Sequence, residues 1–236
     1  MNQRSSKTVF LTALLCIAVL ASIFSIISLA NRSAKPQDKS NDPIAIRDAL
    51  RRGGLREAAK LKGHYVREFS GHWGPVGIES LTKNSTAVIV GRVTKQLGTE
   101  LVEDGQIIVT YYEVTIEETI KGAVNRGNTI RISLPGGRVE FEDGTSAEVI
   151  TPTFEHVQKN GVYALFLSQS DDAPDSYALF AGPQGVVEFD SNSQVRSRGQ
   201  STDPVANETK GRSTESFLKV VREYARKWPG PGRCCS

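Results

Sequence analysis

Three histidines and several clustered carboxylates are the residues with which this chain could do chemistry. His64 and His72 lie eight apart in GHYVREFSGHWG, among aromatic residues. Two imidazoles at that spacing can share a metal, but no cysteine or close carboxylate pair completes a zinc set; the plainer role is packing beside Tyr65 and Trp73. His156 stands in PTFEHVQKNG with Glu155 next to it. An imidazole base with a loop carboxylate is the beginning of a hydrolase. Nucleophilic catalysis also needs a serine or cysteine on a sharp turn, and no G-x-S-x-G is present.

The carboxylates divide into pairs and a run. Glu117 and Glu118 are consecutive in a strand-like stretch, so they point to opposite faces and cannot act as a direct acid pair. Glu140 and Glu142 share a face just before Asp143-Gly144, which reads as the charged end of a hairpin, with glycosidase-type acid chemistry as the sharper alternative. Asp171, Asp172 and Asp175 fall in a polar loop and offer oxygens to Ca²⁺ without the spacing of an EF-hand. They are the chain's metal candidates. No Walker or dinucleotide glycine pattern opens a helix, so no cofactor is expected.

Charge is distributed unevenly. The formal net charge is +3, yet residues 1–78 carry 12 Lys and Arg against 5 Asp and Glu, residues 79–190 carry 8 against 17, and residues 191–236 carry 9 against 4. An acidic middle excludes a nucleic-acid partner for that part. Cys16 lies inside an apolar run and follows Leu15 rather than the small residue of a lipoprotein signal. Cys234-Cys235 near the end reads as a frayed tail with no fixed partner; of the sharper readings, an intermolecular disulfide suits it better than prenylation, which acts on the other side of the membrane. Asn31, Asn84 and Asn207 open glycosylation sequons that matter only in a eukaryotic secretory host.

The elements that would carry these residues begin with TVFLTALLCIAVLASIFSIISLA, Thr8 to Ala30, which contains no charge. A helix of that length reaches roughly 35 Å, enough for a hydrocarbon core of about 30 Å. The expectation is a membrane anchor that leaves the body outside the cytoplasm; cleavage after Ser28-Leu29-Ala30, giving a secreted or periplasmic form, is the alternative. The membrane is the expected partner through that N-terminal helix; the basic residues after it read first as the solvated face of an amphipathic helix, with contact to anionic lipid headgroups as the sharper alternative.

Residues 31–43 read as a polar linker and residues 44–78 as a basic helical segment, two short helices separated by Gly53-Gly54, with Asp42-Pro43 as the start signal. Residues 79–190 read as a β domain. Its expected strands are Ala87–Val93, Ile107–Ile120, Thr129–Leu134, Arg138–Phe141, Ala147–Ile150, Val162–Leu167, Tyr177–Phe180 and Val186–Phe189. In the second, Tyr112, Val114, Ile116 and Ile120 share one parity against Glu113, Thr115, Glu117 and Thr119 on the other, which predicts one buried face. VYALFL is apolar on both parities, the mark of a central strand. A polar loop over 191–213, a helix over 214–228 with Ser213 or Thr214 as cap, and a flexible tail over 229–236 complete the chain. The fold class is mainly β: a small antiparallel OB-like barrel or sandwich with flanking helices and an N-terminal hydrophobic helix.

The order SLTKNSTAVIVGRV, YYEVTIEETIKG, LPGGRV, PTF then NGVYALFL, YALFAGPQGVVEF and a last helix, over roughly Leu81 to Tyr224, resembles a group of exported bacterial proteins of unassigned activity. The resemblance implies a small β-barrel and assigns no functional residue. The expected role is a non-catalytic, membrane-tethered extracytoplasmic module that binds or supports; the alternatives are a hydrolase using His156 and a secreted Ca²⁺-binding module.

Overall fold

The computed structural model describes residues 41–229 apart from Ser70, His72, Thr153, Asp171, Asp172 and Pro174. The stretch Thr8–Ala30 and the tail cysteines therefore lie outside the described residues, and among the described residues no helix is long and apolar enough to cross a membrane.

Helix α1, Pro43–Lys62, starts at the expected proline and breaks at Gly53 and Gly54, whose backbone is not helical. A break leaves the carbonyls before it and the amides after it without partners. Both needs are met by one distant hairpin: Gln106 Nε2 donates to Leu50 O at 2.7 Å and Leu55 N donates to Gly105 O at 2.8 Å. Gly54 has φ +65°, and a methyl there would land on the Gly105 carbonyl. The glycine pair is thus the seat of a hairpin tip.

Strand β1, His64–Glu68, follows at once and pairs in parallel with β6, Ser146–Ile150, which pairs antiparallel with β5, Gly137–Glu140. One face of this three-stranded sheet packs under α1, with Leu55, Ala59, Ala147, Val149 and Ile108 at the contact. The reading of 44–78 as purely helical is corrected here. Residues His64–Glu68 within it are a strand, and its last residue begins a second helix, α2, Ile78–Asn84.

The seven-stranded sheet contains β2 (Ala87–Val102), β3 (Ile107–Lys121), β4 (Thr129–Pro135), β7 (Val162–Gln169), β8 (Ser176–Leu179), β9 (Val186–Phe189) and β10 (Val195–Ser197), in the order β10-β9-β7-β2-β3-β4-β8. Strand β8 pairs with β7 as well as β4. Pairing is antiparallel except for β4 with β8. The expectation of a wholly antiparallel domain therefore fails at two places, β1–β6 and β4–β8. Strand β2 runs past the expected end at Val93 to Val102, through register shifts that leave Thr94 and Leu97 out of the pairing with β3.

Side-chain alternation explains the core. From β2, β7 and β9, the residues Ile89, Leu165 and Val186 enter one cluster with Tyr112, Val114 and Ile132, while Val88, Phe166 and Val187 enter a second on the other face. Both faces of VYALFL are buried because helices cover the second. Those helices are α2, α3 (Pro204–Thr209) and α4 (Thr214–Lys227), which contribute Leu81, Val205, Phe217 and Val221. Burying each such side chain contributes about 1.5–3 kcal/mol. Helix α4 starts where expected, with Ser213 Oγ accepting from Ser216 N. The segment 191–213, expected as irregular, holds β10 and α3.

Helix α2 has no capping side chain of its own at its N-terminal residue, Gly77. Glu208 of α3 accepts from Ile78 N at 3.1 Å, and Lys121 at the end of β3 donates to Thr82 O and Lys83 O at 2.7 and 2.8 Å. A carboxylate at the amino end and an ammonium at the carboxyl end complement the helix dipole. Both come from elements far away in sequence.

Candidate binding surface

The neighbours Glu155 and His156 part company in the fold. Glu155 turns outward to Arg196 and Arg198 of the β10 region, and Glu188 of β9 joins them: Arg198 Nη2 lies 2.8 Å from Glu188, Arg196 Nη2 3.1 Å from Glu188 and 3.2 Å from Glu155. The Arg198 side chain is 3% exposed, so its two carboxylates neutralise a buried charge. His156 turns inward. Its Nδ1 lies 3.0 Å from Tyr112 Oη, and its ring packs 5.7 Å from Phe154. Burial pulls the His156 pKa below the ordinary imidazole value, and burial with Tyr163 nearby pushes Tyr112 up to about 12. At neutral pH both are uncharged. A side chain at Gly136 would run into His156 Nε2, Val149 O and the Thr151 hydroxyl, which is buried without a hydrogen-bond partner among the described residues. Neither a serine nor a cysteine meets the ring in a hydrogen bond among the described residues.

His64 meets a different set. On the face of the three-stranded sheet opposite α1, its Nδ1 lies 2.8 Å from Ser146 Oγ and its Nε2 lies 3.7 Å from Glu148. Arg138 on β5 reaches both Glu140 and Ser146 Oγ, at 3.3 and 3.4 Å. Sequence reasoning paired His64 with His72, which lies outside the described residues, and missed Ser146 and Glu148. No local signal joins positions 82 apart; only the strand register does.

Glu117, Glu118 and Asp143 have structural partners. Glu117 takes Arg92 at 2.7 Å and Glu118 takes Arg222 of α4 through two contacts, so the pair does point to different neighbours. The Glu118 hydrogen bonds raise the Arg222 pKa. Asp143 accepts from the amide and hydroxyl of Thr145 across the hairpin turn, which lowers its pKa. Asp171 and Asp172 lie outside the described residues, and Asp175 accepts from Arg131 N through its backbone oxygen at 2.9 Å. Among the described residues, no group of three or more His, Cys, Asp or Glu could hold a metal ion.

A broad concavity lies elsewhere. A groove of about 1050 Å³ runs between the end of β3 with its connection to β4 and the C-terminal half of α4. Its lining includes Ile120, Val124 and Ala225, with Lys121, Arg126, Arg222 and Arg226 among its charged groups. Lys121 caps α2, and burial lowers its pKa. Arg222 is held by Glu118. Arg126 and Arg226 carry no ion pair among the described residues, so the groove keeps two unneutralised guanidinium groups beside an apolar floor. The sequence signal was present in the i, i+4 pair Arg222 and Arg226.

No protein-family model matches the chain, and no curated protein matches it in sequence.

Proposed function

We propose that this chain is a non-catalytic, membrane-tethered extracytoplasmic module built on a small OB-like β-barrel. The observation that carries the reading is where the reactive side chains go. Glu155, Glu188, Glu117 and Glu118 are held in ion pairs and His156 by Tyr112, while Arg126 and Arg226, without an ion pair among the described residues, stand at an open groove. A site built for proton transfer needs an accessible acid or base with a shifted pKa beside a nucleophile. A surface built for binding needs concavity and uncompensated charge, and that is the pattern here.

The barrel part of the reading is supported by the pairing circuit β7-β2-β3-β4-β8, which returns to β7 through β8. One parity of every strand in that circuit supplies the same cluster, as Tyr163, Ile89, Val114, Ile132 and Tyr177 do. The tether is supported by the uncharged length of Thr8–Ala30.

Alkaline carbonate extraction of native membranes, followed by intact mass measurement, tests the tether. A chain retained in the pellet with residues 1–30 present is the expected result; a soluble chain lacking them makes the module a secreted one.

A hydrolase is the second reading, and one geometry favours it: Ser146, His64 and Glu148 in a row across β1 and β6. Against it, Ser146 is 5% exposed and stands on strand β6 rather than on the sharp turn that presents a nucleophile. Incubating the full chain with a fluorophosphonate decides between them. The module stays unlabelled; labelling of Ser146 that His64→Ala abolishes would establish the hydrolase.

A further inference from the structure

We propose that the outward face of α1 docks on the surface of an anionic lipid bilayer, with the headgroups as its partner. The proposal rests on the tethered reading, because the tether is what brings a bilayer within reach. The inward face of α1 is fully used: Ala49, Leu55, Ala58 and Ala59 are buried, the last two with Leu55 at 0% exposure. Away from those residues, the half of α1 before the Gly53-Gly54 break carries Arg47, Arg51 and Arg52 and the half after it Arg56, Lys60 and Lys62, all exposed. Of these, Lys60 has a carboxylate partner, Glu57 at 2.6 Å, and Arg56 lies 5.4 Å over the Phe141 ring. Arg47, Arg51 and Arg52 make no ion pair among the described residues, and the one exposed acid on this helix is Asp48.

A helix that has already buried its apolar side has no core-packing use for such a row of cations. Its charge complements an anionic plane, where several Lys and Arg act together within a Debye length of about 8–10 Å. Ile44, 66% exposed in the first turn, continues the line through Arg47, Asp48, Arg51 and Arg52 and supplies an apolar residue for the headgroup boundary. Chain length fits as well. Twelve residues separate Ala30 from Pro43, a reach of at most about 40 Å when fully extended. A span at one end of that linker holds α1 at high effective concentration over the same leaflet, so modest attraction suffices. The acidic β domain, repelled by the same surface, would turn away from it.

The test uses the full chain reconstituted into vesicles of phosphatidylcholine alone or with about 30% phosphatidylglycerol, treated with phenylglyoxal and read by mass spectrometry. At low salt, modification of Arg47, Arg51 and Arg52 should slow at least about fivefold in the anionic vesicles and recover at about 0.5 M salt. Arg126, in the groove, serves as the internal reference and should change less than twofold. In the Arg51→Gln, Arg52→Gln variant, Arg47 should return to its rate in neutral vesicles. Equal rates in the two lipids overturn the proposal. So does slowing that soluble heparin reproduces in neutral vesicles, which would assign the face to a free polyanion. If carbonate strips the chain from the vesicles, the tether fails separately. The mature form lacking residues 1–30 is then floated with the same vesicles: co-flotation with the anionic set alone upholds the helix contact, and none refutes it.

Discussion

Strand β7, in the middle of the seven-stranded sheet, buries five consecutive side chains from Tyr163 to Leu167; β6, in the middle of the three-stranded sheet, buries Ala147 and Val149 and leaves Ile150 42% exposed. The larger sheet is closed on both faces by long aliphatic and aromatic groups. The smaller one is closed on one face, against Leu55 and Ala59 of α1 and Ile108 of β3, and is joined to the rest by that contact and by hydrogen bonds such as Leu55 N to Gly105 O, Gln106 Nε2 to Leu50 O and Gly136 N to Ile108 O. Stability resides in the first. Presentation belongs to the second, which displays the α1 cations on one side and His64 and Glu148 on the other. The difference teaches that the part of a fold contributing least burial can be the part that meets the surroundings, because its side chains are not consumed by the core.

That contrast can be broken or sharpened by four substitutions. Leu165→Ala removes a fully buried side chain from β7 and should cost about 3 kcal/mol in denaturant unfolding at unchanged m. A loss below about 1 kcal/mol would mean that β7 is not the load-carrying core. Gly54→Ala places a side chain at φ +65° against the Gly105 carbonyl and should cost about 2 kcal/mol. Hydrogen exchange should show the opening confined to α1, β1, β5 and β6 while β7 amides stay protected. Equal deprotection of β7 would make the two sheets one cooperative unit. Ser213→Ala removes the cap of α4 and should cost about 1 kcal/mol, seen as a lower melting temperature.

The smallest effect concerns pH. Burial holds the His156 pKa below its ordinary value, so below about pH 6.5 the unfolded chain binds a proton that the folded chain refuses. Stability contributed by the neutral ring is present above that pH and is lost as pH falls toward the folded value. His156→Gln should flatten the melting-temperature profile between pH 7 and 5 relative to the parent, whereas a profile with the parent's slope would exclude His156 as its source.

The same contrast separates what was legible from what was not. Strand β3 announced itself through alternation, β7 through its unbroken apolar run and α4 through its cap and helical spacing, since each pattern is local. Strand β1 did not, because HYVRE becomes a strand only against Ser146–Ile150, far along the chain. Helix α2 was invisible for a related reason: seven residues with no cap of their own are completed by Glu208 and Lys121. Helix α3 was the avoidable miss. Asp203-Pro204 repeats the Asp42-Pro43 signature that located α1. As for the sites, Glu155 and His156 were noticed as neighbours, but adjacent loop residues project independently, and the fold sent one to the arginines and the other to Tyr112. The groove needed α4 and the β3 connection brought together, which no spacing along the chain records.

Lys121 carries a practical consequence. Its amine is 4% exposed at the residue level and bound to two carbonyl oxygens, whereas lysines such as Lys60 and Lys62 face solvent. In a mixture treated with an acylating reagent, it should be the last amine to react, and its acylated peptide would serve as a clock for loss of the native state in crude samples where optical probes are blind.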